Sequence, residues 1–381
     1  MPLRQALGRT IAEEVRSAEP IPGFDNSAMD GFAVRAADTA GASATEPVRL
    51  ALAGESRAGH VSAAALSPGQ AFGISTGAAI PPGADAVVPV EEARREDGAV
   101  VMAAEVAAGD LVRRAGEDAA AGETLLTPGT LLGAAELGVL ASLGHPTVSC
   151  HRRPRVAVLS SGDELLEPGE PMRPGGVRDS NGYAVPALAE RAGAELVGVA
   201  RAPDDPEATR EAIAAMLDAD VAVVCGGISV GEHDHVKGAL AELGVEEAFW
   251  GIALRPGKPT WFGSRAGALV FGLPGNPVSA MVTFLLLVRP ALVRMAGGEP
   301  GRTRTTAILD RDYEKRPGRA HALRARLHLR EDGWHAEPAP NQGSHVLTSM
   351  LGADCLALAP REIGSLRRGE RIEVELLDGG R

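Results

Sequence analysis

Between residues 154 and 296 the sequence alternates apolar, β-branched runs with segments of helical periodicity. The strand-like runs are PRVAVLS, AELVGVA, VAVVCGG, AFWGIAL and ALVFGL, and the helical segments cover residues 183–191, 206–217, 235–243 and 277–295. This alternation predicts a doubly wound, mainly parallel sheet with helices on both faces. Ligands of such sheets bind beyond the carboxyl ends of the strands. Three Gly-rich segments, SSGDE, CGGISVGEHD and GLPGNP, follow predicted strands, and we expect them to converge on one cleft there.

The regions on either side differ in pattern, so we expect an α/β multidomain protein. The doubly wound domain covers residues 151–298. Residues 31–115 consist of short β-like stretches between Gly and Pro turns and predict an inserted β-rich domain. Residues 1–30 and 116–150 have helical patterns and predict a split helical domain, starting with a short amphipathic helix at MPLRQALGRTIAEEV. Residues 299–381 return to short strands and predict a C-terminal β-barrel, with a sandwich as the alternative.

Composition excludes several classes of protein. The 381 residues include 38 Lys+Arg and 50 Asp+Glu, and the net charge of -12 argues against a general nucleic-acid binder. An anionic substrate therefore needs local hydrogen-bond donors. Three cysteines without metal-type spacing fit a reducing cytoplasm. We expect a cytoplasmic protein, because no signal peptide is apparent and the apolar run FLLLV is far shorter than a membrane span.

Lysine and asparagine are scarce. The chain has three lysines (Lys237, Lys258 and Lys315) and four asparagines (Asn26, Asn181, Asn276 and Asn341). All four asparagines and two of the lysines lie in the motifs described below. We interpret this placement as functional, with chance as the alternative.

The segment VCGGISVGEHDH (224–235) combines features that normally exclude each other. Gly226, Gly227 and Ser229 follow a predicted strand, where backbone amides bind anions. Glu232 and Asp234 lie in the same segment and would repel an anion. The ligand therefore has to suit both an anion cradle and acidic side chains.

Two further motifs offer donors. In FGLPGNPVSA, Asn276 is predicted to cap a helix that starts at Pro277, and the free amides of that helix start suit an oxyanion. The alternative is a well-formed strand-to-helix turn. In RPGKPTWFG, Lys258 follows a rigid turn and is predicted to bind phosphate as a point charge. The alternative is a solvated surface lysine.

Two crossovers offer acids. In SSGDELLEPG, Ser160 and Ser161 are predicted phosphate donors, and Asp163 or Glu164 could hold a hydrated magnesium ion. The alternative is a capping box or a loop. In PDDP, Asp205 is predicted to cap a helix, which leaves Asp204 as the functional candidate.

The N-terminal segment FDNSAMDGFAV places Asp25, Asn26, Ser27 and Asp30 within six positions, more polar groups than one turn needs. Further polar residues lie where the inserted domain bends or ends. These are Thr76, Asp85, Glu117 and Asp118. We expect a second polar surface from them.

Histidines 233, 235 and 345 lack zinc-type spacing, so we expect them to form hydrogen bonds rather than bind metal. No nucleophile elbow, Walker loop, nicotinamide fingerprint or Cys-His signature is present. The residues alone thus indicate a multidomain α/β protein that binds a phosphorylated ligand together with a divalent cation.

Eight segments resemble, in the same order, the molybdopterin molybdenumtransferase family, the molybdenum insertases that include the E domain of gephyrin. They are FDNSAMDGFAV, STGAAIPPGADAVVPVEE, VRRAGEDAAAG, RVAVLSSGDELLEPG, VRDSNGY, CGGISVGEHDHVK, RPGKPTWFG and GLPGNPVSAMVTF, and NQGSHV fits as well. The resemblance implies the four regions above, with a molybdopterin-binding α/β domain, in an elongated homodimer whose active cleft lies between subunits. It implies transient contacts with molybdopterin adenylyltransferase and apo-molybdoenzymes, and none with nucleic acid or membrane.

The implied reaction inserts molybdate into adenylylated molybdopterin and releases AMP, with Mg²⁺ assisting hydrolysis. Glu164 and Asp234 would hold the metal, which makes acids and an anion compatible. The implied catalytic positions are Asp30, Thr76, Asp118, Glu164, Asp204, Asp234, Pro274 and Pro277. The implied ligand-binding positions are Ser161, Gly226, Gly227, Ser229, Lys258, Asn276, Arg324 and Ser344. Arg324 and Ser344 would contact molybdate, with Arg326 as a rival to Arg324.

The chain departs from the family pattern at three positions. Gly251 stands where the family often has lysine, Arg255 replaces a second lysine, and Cys225 replaces a hydroxyl residue before Gly-Gly. Gly251 loses a charge, which puts one phosphate or molybdate contact in doubt. Two other functions remain open from sequence: a non-catalytic scaffold that binds molybdopterin, and a molybdopterin adenylyltransferase.

Overall fold

The computed structural model describes residues 1–60, 62–229, 234–301 and 303–377. The chain divides into two compact units. Unit 1 comprises Met1–Glu13, Pro128–Gly138 and Pro146–Arg381, and unit 2 comprises Glu14–Thr127 and Val139–His145. The boundaries of the four domains predicted from sequence stay a prediction.

Unit 2 is built on a six-stranded sheet. The strands of this part of the chain are β1 (Val15–Arg16), β2 (Asn26–Ser27), β3 (Gly31–Val34), β4 (Val48–Ser56), β5 (Gln70–Ile74), β6 (Ala86–Pro89), β7 (Ala93–Glu96), β8 (Ala99–Met102), β9 (Val112–Arg113) and β10 (Thr124–Leu126). The sheet order is β6-β3-β5-β4-β8-β7, in which only β4 and β5 are parallel neighbours. Its apolar face buries Phe32, Leu50, Val88 and Met102. The inserted β-rich part of the predicted fold is confirmed.

The helix predicted at the N-terminus is wrong. Residues 1–15 contain one 3-10 turn, Leu3–Gln5, and Gly8 then adopts a left-handed backbone with φ of 69°. Beyond it, the β-branched pair Thr10 and Ile11 forms bridges to Leu131 and Cys150. Strand pairing thus outweighs the amphipathic pattern.

Residues 116–150 contain less helix than predicted. They hold β10 and one helix, α1 (Ala134–Ser142). Left-handed glycines at 116, 122 and 129 interrupt the segment, with φ of 78°, 84° and 91°. Such a backbone cannot continue a right-handed helix.

Unit 1 contains the predicted doubly wound sheet. Its elements are β11 (Arg155–Ser161), β12 (Leu165–Leu166), β13 (Val177–Arg178), α2 (Asn181–Arg191), β14 (Glu195–Ala202), α3 (Pro206–Met216), β15 (Val221–Cys225), α4 (Val236–Glu242), β16 (Glu246–Trp250), β17 (Leu254–Arg255), β18 (Trp261–Arg265), β19 (Ala268–Leu273), α5 (Pro277–Thr283) and α6 (Arg289–Met295). The sheet order is β14-β11-β15-β19-β18-β16, with the first four strands parallel. Helices α2, α5 and α6 pack on one face and α3 and α4 on the other. The mainly parallel sheet covered on both faces is confirmed.

Helices α5 and α6 are joined by a π-helical segment, Phe284–Val288, into one apolar helix. Within the described residues, Pro277–Met295 is the one helix long and apolar enough to cross a membrane by length and composition. Its residues Ala280, Phe284, Val288 and Leu292 are fully buried in the core of the sheet. Core packing explains its apolar character.

The C-terminal strands close into a barrel. They are β20 (Arg304–Leu309), β21 (Tyr313–Glu314), β22 (Ala320–Arg330), β23 (Gly333–Pro338), β24 (Cys355–Ala359), β25 (Ser365–Leu366) and β26 (Arg371–Leu376). The order β22-β23-β20-β26-β24 returns to β22, so five strands form a closed ring. The predicted barrel is confirmed and the sandwich alternative is wrong.

Candidate functional site

The carboxyl ends of β11, β15 and β19 bring the three Gly-rich segments together, as predicted. The amide of Gly226 donates to the carbonyl of Leu273 at 3.0 Å. A Cβ on Gly226 would lie 2.6 Å from the Ser161 carbonyl oxygen, and one on Gly275 would lie 3.7 Å from the Gly226 Cα. Gly226 and Gly227 have positive φ of 95° and 64°. Only glycine therefore allows these loops to approach so closely.

The acids of the two neighbouring crossovers accept hydrogen bonds from each other's backbone amides. The Asp204 carboxylate accepts the Asp163 amide at 3.2 Å, and the Asp163 carboxylate accepts the Asp204 amide at 3.1 Å. Ser161 Oγ also donates to Asp204, at 3.4 Å. The carboxylate of Glu164 folds back over Gly162, where a Cβ would lie 2.3 Å from Oε2. Three carboxylates thus lie in adjoining loops at one edge of the sheet.

Some predicted donors in these loops are engaged elsewhere. Ser160 Oγ donates to the Asp179 carboxylate at 3.2 Å, so the prediction that it serves as a phosphate donor is not supported. Asp205 accepts the Ala208 amide and caps α3, as predicted. Asp204 thus stays the functional candidate of the pair.

The loop after β15 is described only in part. Ser229 is exposed and Asp234 is half-buried. Glu232 and His233, which the sequence singled out, lie outside the described residues. His235 precedes α4 without capping it.

Magnesium would have oxygen ligands here. Within the described parts of the chain, no three His, Cys, Asp or Glu side chains converge on one point. Carboxylates are nevertheless the donors that Mg²⁺ prefers, and this ion is usually held by one or two of them together with substrate phosphates and water. The exposed Glu164 fits that donor set.

The start of the apolar helix differs from the prediction in one respect. Pro277 occupies the first helical position, as predicted, but Asn276 is exposed and its side chain makes no capping bond. The amide of Val278 donates to the Ser344 carbonyl at 3.2 Å. This bond brings the NQGSHV loop to the GLPGNP turn, and Pro274 is buried beneath it.

Arg324 is buried, and its side chain donates hydrogen bonds to the loop that carries Ser344. Its Nε donates to Ser349 Oγ at 3.0 Å, and its Nη2 donates to the carbonyls of Asn341 and Gly343 at 3.3 and 3.1 Å. Burial lowers the pKa of Arg324 to about 10. Nη1 is the guanidinium nitrogen that donates to no described residue. Arg326 is exposed and donates from Nε to the Gly352 carbonyl at 3.0 Å.

Lys258 is exposed on a turn that packs against α5, because a Cβ on Gly257 would lie 2.4 Å from Thr283 Cγ2. Gly251, the position that departs from the family, has φ of 82°. Its backbone is therefore one that a lysine would adopt only with strain.

Sequence reasoning gave no role to Asp179 and no specific role to Asn181 beyond the scarcity of asparagine, although both belong to the segment VRDSNGY. Asp179 is 6% exposed and Asn181 is 7% exposed. Asn181 Nδ2 donates to the Gly275 carbonyl at 2.7 Å. The scarcity of asparagine was the signal that could have identified Asn181.

Unit 2 carries the second polar surface. The Asp30 carboxylate accepts the Thr76 amide at 2.7 Å and the Thr76 hydroxyl at 3.1 Å. Asp25 accepts the Ala115 amide at 2.8 Å and pairs with Arg114 at 2.6 Å, and these bonds lower the pKa of Asp25. Three distant motifs therefore meet in one surface.

The remaining acids of this surface have different environments. Asp118 is exposed, and its backbone amide donates to the Ile21 carbonyl. Asp85 and Glu117 accept backbone amides of Ala36 and Arg114. These two acids stabilise turns, which leaves Asp30, Thr76 and Asp118 as the candidates in unit 2.

Three family models match the chain. They are the MoeA N-terminal region (domain I and II) at residues 1–144, a probable molybdopterin binding domain at 157–294, and the MoeA C-terminal region (domain IV) at 306–377. A molybdopterin molybdenumtransferase of Haemophilus influenzae is 37% identical over 98% of this chain and 92% of its own length. One of Bacillus subtilis is 35% identical over 98% and 89%.

Solved structures agree with the sequence matches. Two crystal structures of a molybdopterin biosynthesis MoeA protein from Pyrococcus horikoshii match with TM-scores of 0.81 and 0.84. They are 36% and 31% identical to this chain and cover 99% of it and 93% of their own chains. The likeness covers all the regions described above.

Proposed function

The chain belongs to the molybdopterin molybdenumtransferase family, and we propose that it inserts molybdate into adenylylated molybdopterin, with release of AMP, to form molybdenum cofactor. The observation that carries this proposal is the glycine cradle beside carboxylates at one edge of the sheet. A cradle alone would serve any phosphorylated ligand. Acids in adjoining loops favour a reaction in which a cation offsets phosphate charge.

The cradle would hold the phosphate linkage. The backbone amides of Gly227 and Ser229 would be the oxyanion donors, with Ser161 beside Gly227. Gly226, whose own amide donates to the Leu273 carbonyl, would serve by letting the ligand approach the backbone closely. Lys258, exposed on its turn, adds a point charge, and the exposed amide side chain of Asn276 adds a neutral donor.

Mg²⁺ fits the carboxylate donors, and we assign it to Glu164 and Asp234. When bound, it would neutralise charge on the leaving phosphate. Asp204 is held in place by Asp163 and Ser161, so its carboxylate keeps one orientation toward the cradle. Pro274 and Pro277 fix the turn that faces these acids.

Molybdate is a substrate, and we assign it to Arg324 and Ser344. Nη1 of Arg324, which donates to no described residue, supports this assignment, because Nε and Nη2 already hold the loop that carries Ser344. Arg326 donates to Gly352, at the far end of the connection between β23 and β24, whereas Arg324 donates to Gly343, next to Ser344, which favours Arg324.

The proposal extends to unit 2 and to the assembly. We assign functional roles to Asp30, Thr76 and Asp118, the positions of unit 2 that the family resemblance implies. We further propose a cytoplasmic homodimer that meets molybdopterin adenylyltransferase and apo-molybdoenzymes transiently.

The test is activation of an apo-molybdoenzyme by purified protein with adenylylated molybdopterin, molybdate and Mg²⁺. Wild type should activate the apo-enzyme, and Asp234→Asn should abolish activation while the pterin still binds. Undiminished activation by Asp234→Asn would remove its metal role. Binding of the pterin by wild type without activation would favour the non-catalytic scaffold.

A further inference from the structure

Asn181 has a buried oxygen without a partner. Its Nδ2 is fixed on the Gly275 carbonyl at 2.7 Å, which also fixes the identity of the two amide atoms. Its Oδ1 is buried and accepts no hydrogen bond in the described chain. It is the one buried side-chain polar atom of the described residues in that condition. Buried polar atoms without partners are rare, and such an atom at a ligand site marks a missing donor.

Asp179, two residues earlier, has a second spare acceptor. Its Oδ1 accepts Ser160 Oγ at 3.2 Å and the Gly182 amide at 2.8 Å. Asp179 makes both of these side-chain hydrogen bonds to described residues through Oδ1. Its Oδ2 accepts no hydrogen bond from a described residue. Asp179 also lies close enough to Cys225 for its charge to raise the pKa of that thiol, after burial. The carboxylate is therefore beside the strand end that leads into the cradle.

Packing alone accounts for only part of this arrangement. The bonds of Asp179 to Gly182 and of Asn181 to Gly275 stabilise the start of α2 and the GLPGNP turn. Those bonds would be enough for a purely structural role. Such a role does not explain why the Oδ1 of Asn181 is buried without a hydrogen-bond donor. Gly275 is exposed, so Asn181 lies one hydrogen bond below the surface of the cleft.

We propose that Asn181 and Asp179 form an acceptor pair that recognises the N–H edge of the pterin ring in the substrate. The 2-amino group and N3–H of a pterin present adjacent donors, the complement of two spare oxygen acceptors. Both side chains lie at the start of α2, where Asn181 holds the exposed GLPGNP turn through Gly275. This inference rests on the proposed function and adds the residues that select the pterin end of the ligand.

The experiment compares two fluorescent probes that differ in one group. Pterin-6-carboxylate carries the 2-amino donor, and lumazine-6-carboxylate carries an oxygen there instead. Wild type should bind the pterin about 10- to 100-fold more tightly, because lumazine keeps the N3–H donor but places an oxygen, itself an acceptor, opposite the second acceptor. AMP, which has no pterin ring, is the control ligand.

Two variants separate recognition from structural support. Asn181→Leu removes the acceptor and should bring the pterin-to-lumazine ratio close to one while AMP binding is retained. Asn181→Asp keeps an oxygen acceptor but loses the Nδ2 donor, so it should retain a preference for the pterin. If the leucine variant does not fold, a loss of the pterin preference in Asn181→Asp, or equal binding of both probes by wild type, would still contradict the inference.

Two results would overturn the inference: equal binding of both probes by wild type, or a folded Asn181→Leu protein that keeps the wild-type ratio. These titrations use no turnover. A wild type that prefers the pterin but fails to activate an apo-molybdoenzyme would contradict the proposed function and leave the recognition pair intact.

Discussion

At the scale of single residues, the candidate site is held by side chains that hydrogen-bond the backbone of a distant segment. Asp163 and Asp204 each accept the other's amide between two crossovers. On the barrel, the Gln342 side chain binds both the amide and the carbonyl of Arg324. Groups locked in this way keep their orientation when a charged ligand arrives. Residues beside the reacting groups should therefore influence activity through geometry.

Asp163 is predicted to act as a positioning residue for Asp204. Asp163→Ala removes the acceptor of the Asp204 amide and should lower the rate of AMP release about 10- to 100-fold. Asp163→Asn keeps an oxygen acceptor and should stay within a few-fold of wild type. Rates measured at saturating substrate for both variants check this. A loss of equal size in Asp163→Asn would indicate that the charge, and not the hydrogen bond, matters.

Gly251 is predicted to resist replacement by the lysine of the family. Its φ of 82° is left-handed, although the nearest atom to an added Cβ, the Lys258 carbonyl oxygen, is 3.9 Å away. Gly251→Lys should therefore lower the free energy of unfolding by about 1 kcal/mol through backbone strain alone. Gly251→Asn should cost less, because asparagine tolerates this backbone. Urea denaturation measures both, and an unchanged midpoint for Gly251→Lys would contradict the strain.

At the scale of elements, sequence periodicity predicted the α/β sheet better than the segments around it. Apolar runs of β11, β15 and β19 are buried on both faces, so their pattern is unambiguous. The N-terminal segment was mispredicted as a helix. Its amphipathic pattern gives no sign of the β-bridges that Thr10 and Ile11 form with distant residues. The glycine-rich loops were predictable as a convergent set. The partners of Ser160, Asn276 and Arg324 were not, because they depend on which loops the fold brings together.

The barrel contains a histidine clamped by two acids, which gives its stability a pH dependence. His335 is 6% exposed, and its Nε2 and Nδ1 lie 2.8 and 2.9 Å from Asp332 and Asp310. Arg330 donates to Asp310 at 2.7 Å, and its Nη1 lies 3.3 Å from His335 Nδ1, where its charge opposes protonation of the ring. The hydrogen bond to Asp332, followed by that to Asp310, raises the pKa of His335 above its usual value of 6.5. The clamp therefore contributes fully below about pH 6.5 and is lost as pH rises through the raised pKa.

His335→Gln should remove this part of the pH dependence. We expect the urea midpoint of wild type to fall between about pH 6 and pH 9 more steeply than that of His335→Gln, because only wild type loses a proton from the clamp. Unfolding curves of both proteins at several pH values in this window measure the difference. Parallel profiles would show that the clamp does not titrate.

At the scale of the whole molecule, the negative net charge disfavours binding of anionic substrates. A chain with net charge -12 has to bind molybdate and a phosphorylated pterin, both anions, through local donors. We propose that the glycine cradle, Lys258 and Arg324 supply these donors. Carboxylates next to them are compatible with the ligands only when a cation is present.

The homodimer is predicted to be the form in solution. Light scattering of the purified protein should give a mass of two chains of 39.2 kDa each, and dilution should not change it over the range used for activity. A single-chain mass at those concentrations, with full activity, would contradict the dimer.

The central claim is that the cradle and its neighbouring acids couple molybdate insertion to cleavage of the adenylate. The most direct measurement is AMP release from adenylylated molybdopterin with Mg²⁺, in the presence and absence of molybdate. The account predicts one AMP per molybdenum inserted and a rate that rises with molybdate until it saturates. Molybdenum insertion without AMP release, or AMP release unaffected by molybdate, would contradict it.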